Sequence, residues 1–271
     1  MNPVDPLWQE MKATGRLGTL PVTMLNETTS TNTLALEAAR RGAETNSIIL
    51  AETQSMGRGR LGRKWLSPPG TGLYFSMILR PELDPADLAK ITLAAGLAVC
   101  RGVSTVTGLK PVIKWPNDLL IGGKKFAGIL TETEAMAGEN KPVVILGIGM
   151  NINTKPTQFP NDLQEKATSL SIFSGREICR GSLLKEVAEE IIQVVSRLEK
   201  EGFSGILAEW NLHDGTRNRE LVWVSRNGTT VRGVSLGPDQ DGLLRVRDQQ
   251  GTVYEILSGD IELASPGGLP E

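Results

Sequence analysis

Between residues 57 and 65 the chain reads GRGRLGRKW: three glycines, three arginines and a lysine ahead of a tryptophan. Gly57, Gly59 and Gly62 can bring backbone N–H groups close to a ligand, because glycine accepts backbone angles closed to other residues. Arg58, Arg60, Arg63 and Lys64 add fixed positive charge, and an arginine fork suits carboxylate and phosphate oxygens. The stretch is therefore built for an anion. It is not a Walker A loop, since no G-K-S/T closes it, and not a Rossmann turn, since no helical pattern follows its G-x-G-x-x-G. Alone, it also fits a solvated basic loop.

A second cluster is KWPND, Lys114 to Asp118, followed by KKFAGIL. Pro116 stops a strand and Asn117-Asp118 turns it, leaving Lys114 and Asp118 at a strand end. Lys124 and Lys125 open the returning arm of a hairpin, where solvated lysines would be ordinary. A third is GIGMNIN, a strand ending in small residues and Asn151, whose glycines let a flat ring or a backbone approach. His213 is the only histidine, which excludes a Ser/His/Asp set beyond that residue, and no metal cluster is visible. An enzyme with these groups works by positioning and positive charge, which suits chemistry at phosphate.

The elements that must hold these clusters can be read from pattern. Ser30, Thr31 and Asn32 are N-cap types ahead of a helix ending at Gly42. SIILAET and LYFSMILRP read as strands on either side of the basic loop. Asp84-Pro85 starts a long helix running through LAKITLAAGLAVCRGV. PVIKWP is a strand, LLIGGKKFAGILTETE a hairpin about Gly122-Gly123, and VVILGIGMNIN another strand. Ser182 caps a helix whose Leu183, Leu184, Val187, Ile191, Val194 and Leu198 keep helical spacing, and a short helix carries Trp210. From Glu220 short strands alternate with turns at Asn227-Gly228, Asp241-Gly242 and Gly251. They predict a small antiparallel barrel or sandwich of about five strands. The fold class is α+β, with a mixed-sheet domain over residues 1–218 and a β domain over 219–271.

With 39% hydrophobic and 22% charged residues, the chain is an ordinary globular protein. A net charge of −2 gives no global attraction to nucleic acid or anionic lipid, and no apolar run is long enough to span a bilayer. Cys100 and Cys179 form neither a disulfide framework nor a metal site, and the N-terminus has no apolar signal segment. A cytoplasmic location is expected.

Together, TTSTN, AETQSMGRGRLGRKWLSP, KWPNDLLIGGKKFAGIL and GIGMNIN, in this order, closely resemble the biotin protein ligases, from about residue 26 to the end. The resemblance implies a catalytic domain like that of class II aminoacyl-tRNA synthetases, followed by an SH3-like β-barrel. It implies that biotin and ATP, with Mg²⁺, give biotinyl-5′-AMP, and that biotin then passes to a lysine of a biotin carboxyl carrier domain, commonly that of acetyl-CoA carboxylase. Ser30, Thr31, Asn32 and Gln54 would meet the biotin bicycle, with Arg58, Gly59 and Arg60 folding over biotin and the adenylate. Lys125 would span the biotin carboxyl and the α-phosphate, and Lys114 would contact phosphates. Arg63 and Trp65 would serve the nucleotide side, and Asn117, Asp118 and Asn151 would serve the nucleotide, Mg²⁺ or placement of the acceptor lysine, with none of them assigned as a metal ligand.

About 25 residues precede TTSTN, too few for the winged helix-turn-helix of bifunctional relatives, so a single-function ligase is expected. A homodimer is compatible with the resemblance. A lipoate ligase would share the fold and adenylate chemistry but lacks the G-R-G-R loop. A nucleic-acid-binding protein would need aromatics among its arginines, and aromatics make up only 4% of the chain.

Overall fold

The computed structural model describes residues 5–136, 141–224, 230–257 and 259–263. The chain begins with α1 (Pro6–Thr14), β1 (Arg16–Leu17), β2 (Leu20–Thr28), α2 (Thr31–Arg40), β3 (Ile48–Gln54) and β4 (Gly72–Leu79). It continues through α3 (Lys90–Thr107), β5 (Val112–Lys114), β6 (Asp118–Ile121), β7 (Lys124–Glu134) and β8 (Val143–Asn151). Helices α4 (Leu170–Ser174), α5 (Arg180–Glu201) and α6 (Ser204–Leu212) follow. The last strands are β9 (Glu220–Val224), β10 (Thr230–Pro238), β11 (Leu244–Arg247), β12 (Val253–Ile256) and β13 (Asp260–Leu263).

Strands β1 to β8 form one sheet in the order β1-β2-β3-β4-β8-β7-β6-β5. Only β2 and β3 run parallel, joined by α2, and the other neighbours are antiparallel, so the sheet is mixed. Strand alternation divides its two faces. Leu73, Phe75, Met77 and Leu79 of β4 and Val144, Leu146, Ile148 and Met150 of β8 enter the main core with residues of α3 and α5. Ala35 and Ala39 of α2 cover the other face, against Ile49, Ile78, Val143 and Ile145. Beyond the N-terminus of α2, that second face carries Gly147 and Gly149 in place of larger side chains. The site lies there.

Helix α5 buries the six apolar residues that its spacing predicts. Gly102 of α3 lets the two helices come close, since a Cβ there would stand 2.9 Å from Val187 Cγ2. The Gly122-Gly123 turn has φ of 55° and 79°, the two positive angles a primed hairpin turn requires. Several boundaries depart from expectation. Pro85–Asp87 is only a 3-10 turn and α3 starts at Lys90. Helix α5 starts at Arg180, with Cys179 rather than Ser182 at the N-cap. Helix α1 and strands β1 and β2 were not anticipated.

The last five strands form an antiparallel sheet in the order β12-β11-β10-β9-β13. Among the described residues no pairing of β12 with β13 closes it. Gly242 and Gly251 take the expected left-handed turns, at φ of 80° and 87°. The turn expected at Asn227-Gly228 lies outside the described residues. Leu221, Val231, Leu244, Val246, Ile256 and Ile261 join the same buried cluster as Leu93 and Trp115 of the larger sheet's side. Trp115 Nε1 donates to the Gly242 carbonyl at 3.0 Å, and Lys90 Nζ lies 3.6 Å from Asp241 Oδ1. No helix among the described residues is long and apolar enough to cross a membrane.

Candidate active site

Three buried polar residues open α2. Ser30, Thr31 and Asn32 are each 4% exposed, and burial of such groups demands partners. The Thr31 backbone N–H and hydroxyl donate to Gln54 Oε1 at 2.9 and 3.2 Å, and Gln54 Nε2 donates to Ser67 Oγ at 3.1 Å. The hydroxyl of Ser76, from the middle of β4, donates to Asn32 Oδ1 at 2.6 Å and lies 2.8 Å from Thr31 Oγ1. Asn32 Nδ2 donates to the Leu130 carbonyl at 3.2 Å and to Glu132 Oε2 at 2.7 Å. A side chain at Gly147 would strike Asn32 Oδ1, so the glycine is the space in which Asn32 sits.

The basic loop is a closed hairpin. The Trp65 N–H donates to the Gly57 carbonyl at 2.9 Å and the Gly59 N–H to the Arg63 carbonyl at 2.7 Å. At its tip Leu61 takes φ of 56°, a left-handed angle that costs a non-glycine residue about 1 kcal/mol. Arg58 Nη2 bonds Glu132 Oε2 at 2.7 Å and Arg60 Nη1 donates to Asn117 Oδ1 at 3.0 Å. The Trp65 ring lies on Gly128 and Gly149, which face each other across β7 and β8. A Cβ at Gly149 would come 2.5 Å from Trp65 Nε1. That indole N–H is buried with no hydrogen-bond partner.

The loop's exit is anchored from beneath. Tyr74 donates to the Pro68 carbonyl at 3.1 Å, and the Gly70 N–H donates to Glu52 Oε2 at 3.2 Å. Burial pushes the Tyr74 phenol up, which keeps that donor protonated. Arg180 reaches both Glu52 oxygens, at 2.9 and 3.2 Å, while its guanidinium stacks 3.9 Å over Trp8, whose indole N–H also donates to Glu52. Burial alone would raise the Glu52 carboxyl. The bonds and charge from Arg180, with those from Gly70 and Trp8, outweigh it and hold it below the ordinary carboxylate range.

Lys125 and its neighbour Lys124 diverge. Lys125 Nζ pairs with Asp118 Oδ1 at 2.6 Å and stands 5.5 Å from the centre of the Trp65 ring. Lys124 Nζ instead donates to the Gln164 carbonyl at 3.0 Å. The Lys125 backbone is clamped twice, its N–H to the Lys166 carbonyl and its carbonyl from the Thr168 N–H, at 2.8 and 2.9 Å. Lys114 and Asp118 are cross-strand partners at the base of the β5–β6 hairpin. Asn117 Nδ2 is tied to the Ile129 carbonyl at 2.8 Å, and Asn151 Nδ2 to the Thr168 carbonyl at 3.1 Å. Arg63 is exposed on the outer limb of the loop. Beside Arg60 a cleft of about 170 Å³ opens between Thr92, Trp115, Thr131 and the Asp241–Leu243 turn.

The three sequence clusters thus meet on one sheet face, with cations along an edge of a polar, glycine-floored recess. Such a site can receive a neutral hydrogen-bonding ring and neutralise anions beside it. Ser76, Ser67 and Glu132 complete it, and sequence reasoning missed all three. Only strand alternation from Gly128 and from Ile78 could have placed Glu132 and Ser76 on this face. No group of three His, Cys, Asp or Glu side chains suited to a metal occurs among the described residues.

The profile of the Biotin/lipoate A/B protein ligase family matches residues 24–151, which include Lys125, Asn32 and the basic loop. The bifunctional ligase/repressor BirA of Bacillus subtilis is 38% identical over 237 residues, covering 86% of this chain and 71% of that protein. The biotin-(acetyl-CoA-carboxylase) ligase of Paracoccus denitrificans is 32% identical over 234 residues, 84% of this chain and 95% of that one. Among solved structures, the biotin protein ligase of Aquifex aeolicus in complex with biotin and ATP superposes with a TM-score of 0.77 at 27% identity, over 90% of this chain and 99% of that one. With its recess, its basic loop and this likeness along nearly its whole length, the chain belongs to the biotin protein ligases.

Proposed function

We propose that this protein activates biotin with ATP and passes it to a lysine of a biotin carboxyl carrier domain, as that of acetyl-CoA carboxylase. In the first step a biotin carboxylate oxygen bonds the α-phosphorus as the bond to the β-phosphate oxygen breaks. Pyrophosphate leaves with that electron pair. In the second the acceptor amine attacks the acyl carbon, AMP departs, and the amine's proton is lost. No protein nucleophile is needed. The observation that carries this reading is Lys125, clamped at both backbone groups and fixed by Asp118 beside the Trp65 ring.

In this reading Ser30, Thr31, Asn32 and Gln54 receive the ureido ring, and Arg58, Gly59 and Arg60 close over it. Lys125 offsets charge as carboxylate and phosphate meet, an interaction strongest in the transition state. Lys114, Arg63, Trp65, Asn117, Asp118 and Asn151 serve the nucleotide. The closed loop keeps water from the mixed anhydride. Mg²⁺ prefers oxygen donors and usually arrives on phosphates with one or two carboxylates, which Asp118 with the Asn117 and Asn151 amides can supply. That ion would neutralise triphosphate charge. The division at residue 218, an SH3-like character for the second sheet and a cytoplasmic location belong to the same proposal.

Pyrophosphate release from ATP that requires biotin, and that lipoate does not support, tests the reading. Release with lipoate alone would move the chain to lipoate chemistry, and none with either acid would defeat the adenylation.

A further inference from the structure

Glu132 lies outside every cluster that sequence singles out, yet it joins the two halves of the recess. By alternation Gly128, Leu130, Glu132 and Glu134 share one face of β7. Gly128 lies under Trp65, and Glu134 pairs with Arg40 near the far end of α2. Between them, Glu132 Oε2 accepts from Asn32 Nδ2 and from Arg58 Nη2, both at 2.7 Å. One carboxylate oxygen, with its two lone pairs, serves a buried amide on a helix and the first arginine of the basic loop.

We propose that Glu132 is a positioning residue with two roles: it orients the Asn32 amide that faces the ligand, and it latches the loop closed through Arg58. The ligand part rests on the biotin reading above; the latch does not. The two bonds differ in strength. Asn32 is 4% exposed, and loss of a charged acceptor for its amide weakens whatever that amide helps to bind by about tenfold. The side chains of Arg58 and Glu132 are 44% and 36% exposed, and so open a pair shifts an equilibrium by about threefold. That is enough to bias a loop shut while leaving it free to open for each substrate.

Glu132→Gln and Glu132→Ala separate the roles, because a glutamine carbonyl still accepts from Asn32 but carries no charge for Arg58. The first readout needs no ligand: limited trypsin digestion of the purified chain, following cleavage after Arg63 and Lys64 by mass spectrometry. Both variants should be cut about threefold faster than wild type, and adding Arg58→Ala should speed neither further. The second is biotin affinity by calorimetry. Glu132→Ala should bind about tenfold more weakly, while Glu132→Gln stays within about twofold of wild type. Wild-type cleavage rates in both variants would overturn the latch, and equal losses of affinity in both would overturn the orienting role. If wild type itself binds no biotin, the functional reading falls while the trypsin result still judges the latch.

Discussion

Lys124 and Lys125 are adjacent in sequence and chemically identical, and only their surroundings distinguish them. Lys125 points its ammonium into the recess beside Asp118, whereas Lys124 is spent on the Gln164 carbonyl. Lys125→Ala should therefore slow biotinyl-AMP formation by about 100-fold, the scale for loss of one well-placed electrostatic stabiliser. Lys124→Ala should change it less than about twofold. Initial rates of pyrophosphate release from both variants decide the matter, and equal effects would refute the assignment to Lys125. At this scale the sequence is legible where a motif fixes a residue type, as in KWPND and KKFAG. It is silent where two distant side chains share an atom. Nothing in TETE announces that Glu132 will meet Asn32 and Arg58, because that meeting depends on strand register and on α2 lying across it.

Between the groups they carry, strands β7 and β8 supply a floor. Gly128 and Gly149 face each other so that a flat ring can lie on the sheet, and in the folded chain that ring is Trp65. Gly149→Ala should lift the indole by crowding it at 2.5 Å and displace Lys125 with it. Adenylate formation should fall at least about tenfold while the overpacked fold loses about 1–3 kcal/mol. Kinetics and urea titration measure the two effects, and full activity with an unmoved melting curve would show that the floor has room to spare.

Beneath the loop, Glu52 ties β3 to Gly70, Trp8 and Arg180. Because its folded-state pKa is lowered, its contribution to stability is complete above the ordinary carboxylate range and fades as pH falls through the lowered value. Glu52→Gln should cost about 3 kcal/mol near neutral pH by leaving Arg180 without its carboxylate. The gap to wild type should narrow as the wild-type carboxyl protonates in acid. Melting curves from pH 7 to pH 3 test this, and a constant gap would mean the charge of Glu52 contributes nothing. Elements such as α5 and the Gly122-Gly123 hairpin could be read from pattern because their signals are local. Helix α1 could not, since Trp8 and Met11 become a buried face only once α5 is there to receive them.

Both sheets share one buried cluster, in which Leu244, Val246 and Ile261 touch the same apolar mass as Leu93 and Trp115. The change of texture at Glu220 makes the second sheet visible in the sequence, but not that its apolar residues complete the core of the first. Ending the chain after Asn218 should then expose part of that core. The shortened protein should lose several kcal/mol of stability, as cores do when large side chains lose their partners. A melting curve like that of the intact chain would show the two sheets to be energetically separate.

A core that crosses the junction also limits how such proteins can be recombined. The Trp115 indole sits at the end of β5, two residues before the Asn117 that holds Arg60, and it finds its acceptor in the turn at Gly242. A chimaera that takes residues 1–218 from this chain and the remainder from a relative inherits only half of that contact. Its parts would be native and its seam foreign. Grafts that carry the Asp239–Leu244 turn together with its host tryptophan should succeed more often than cuts made at the linker, so the unit of exchange here is the contact and not the domain.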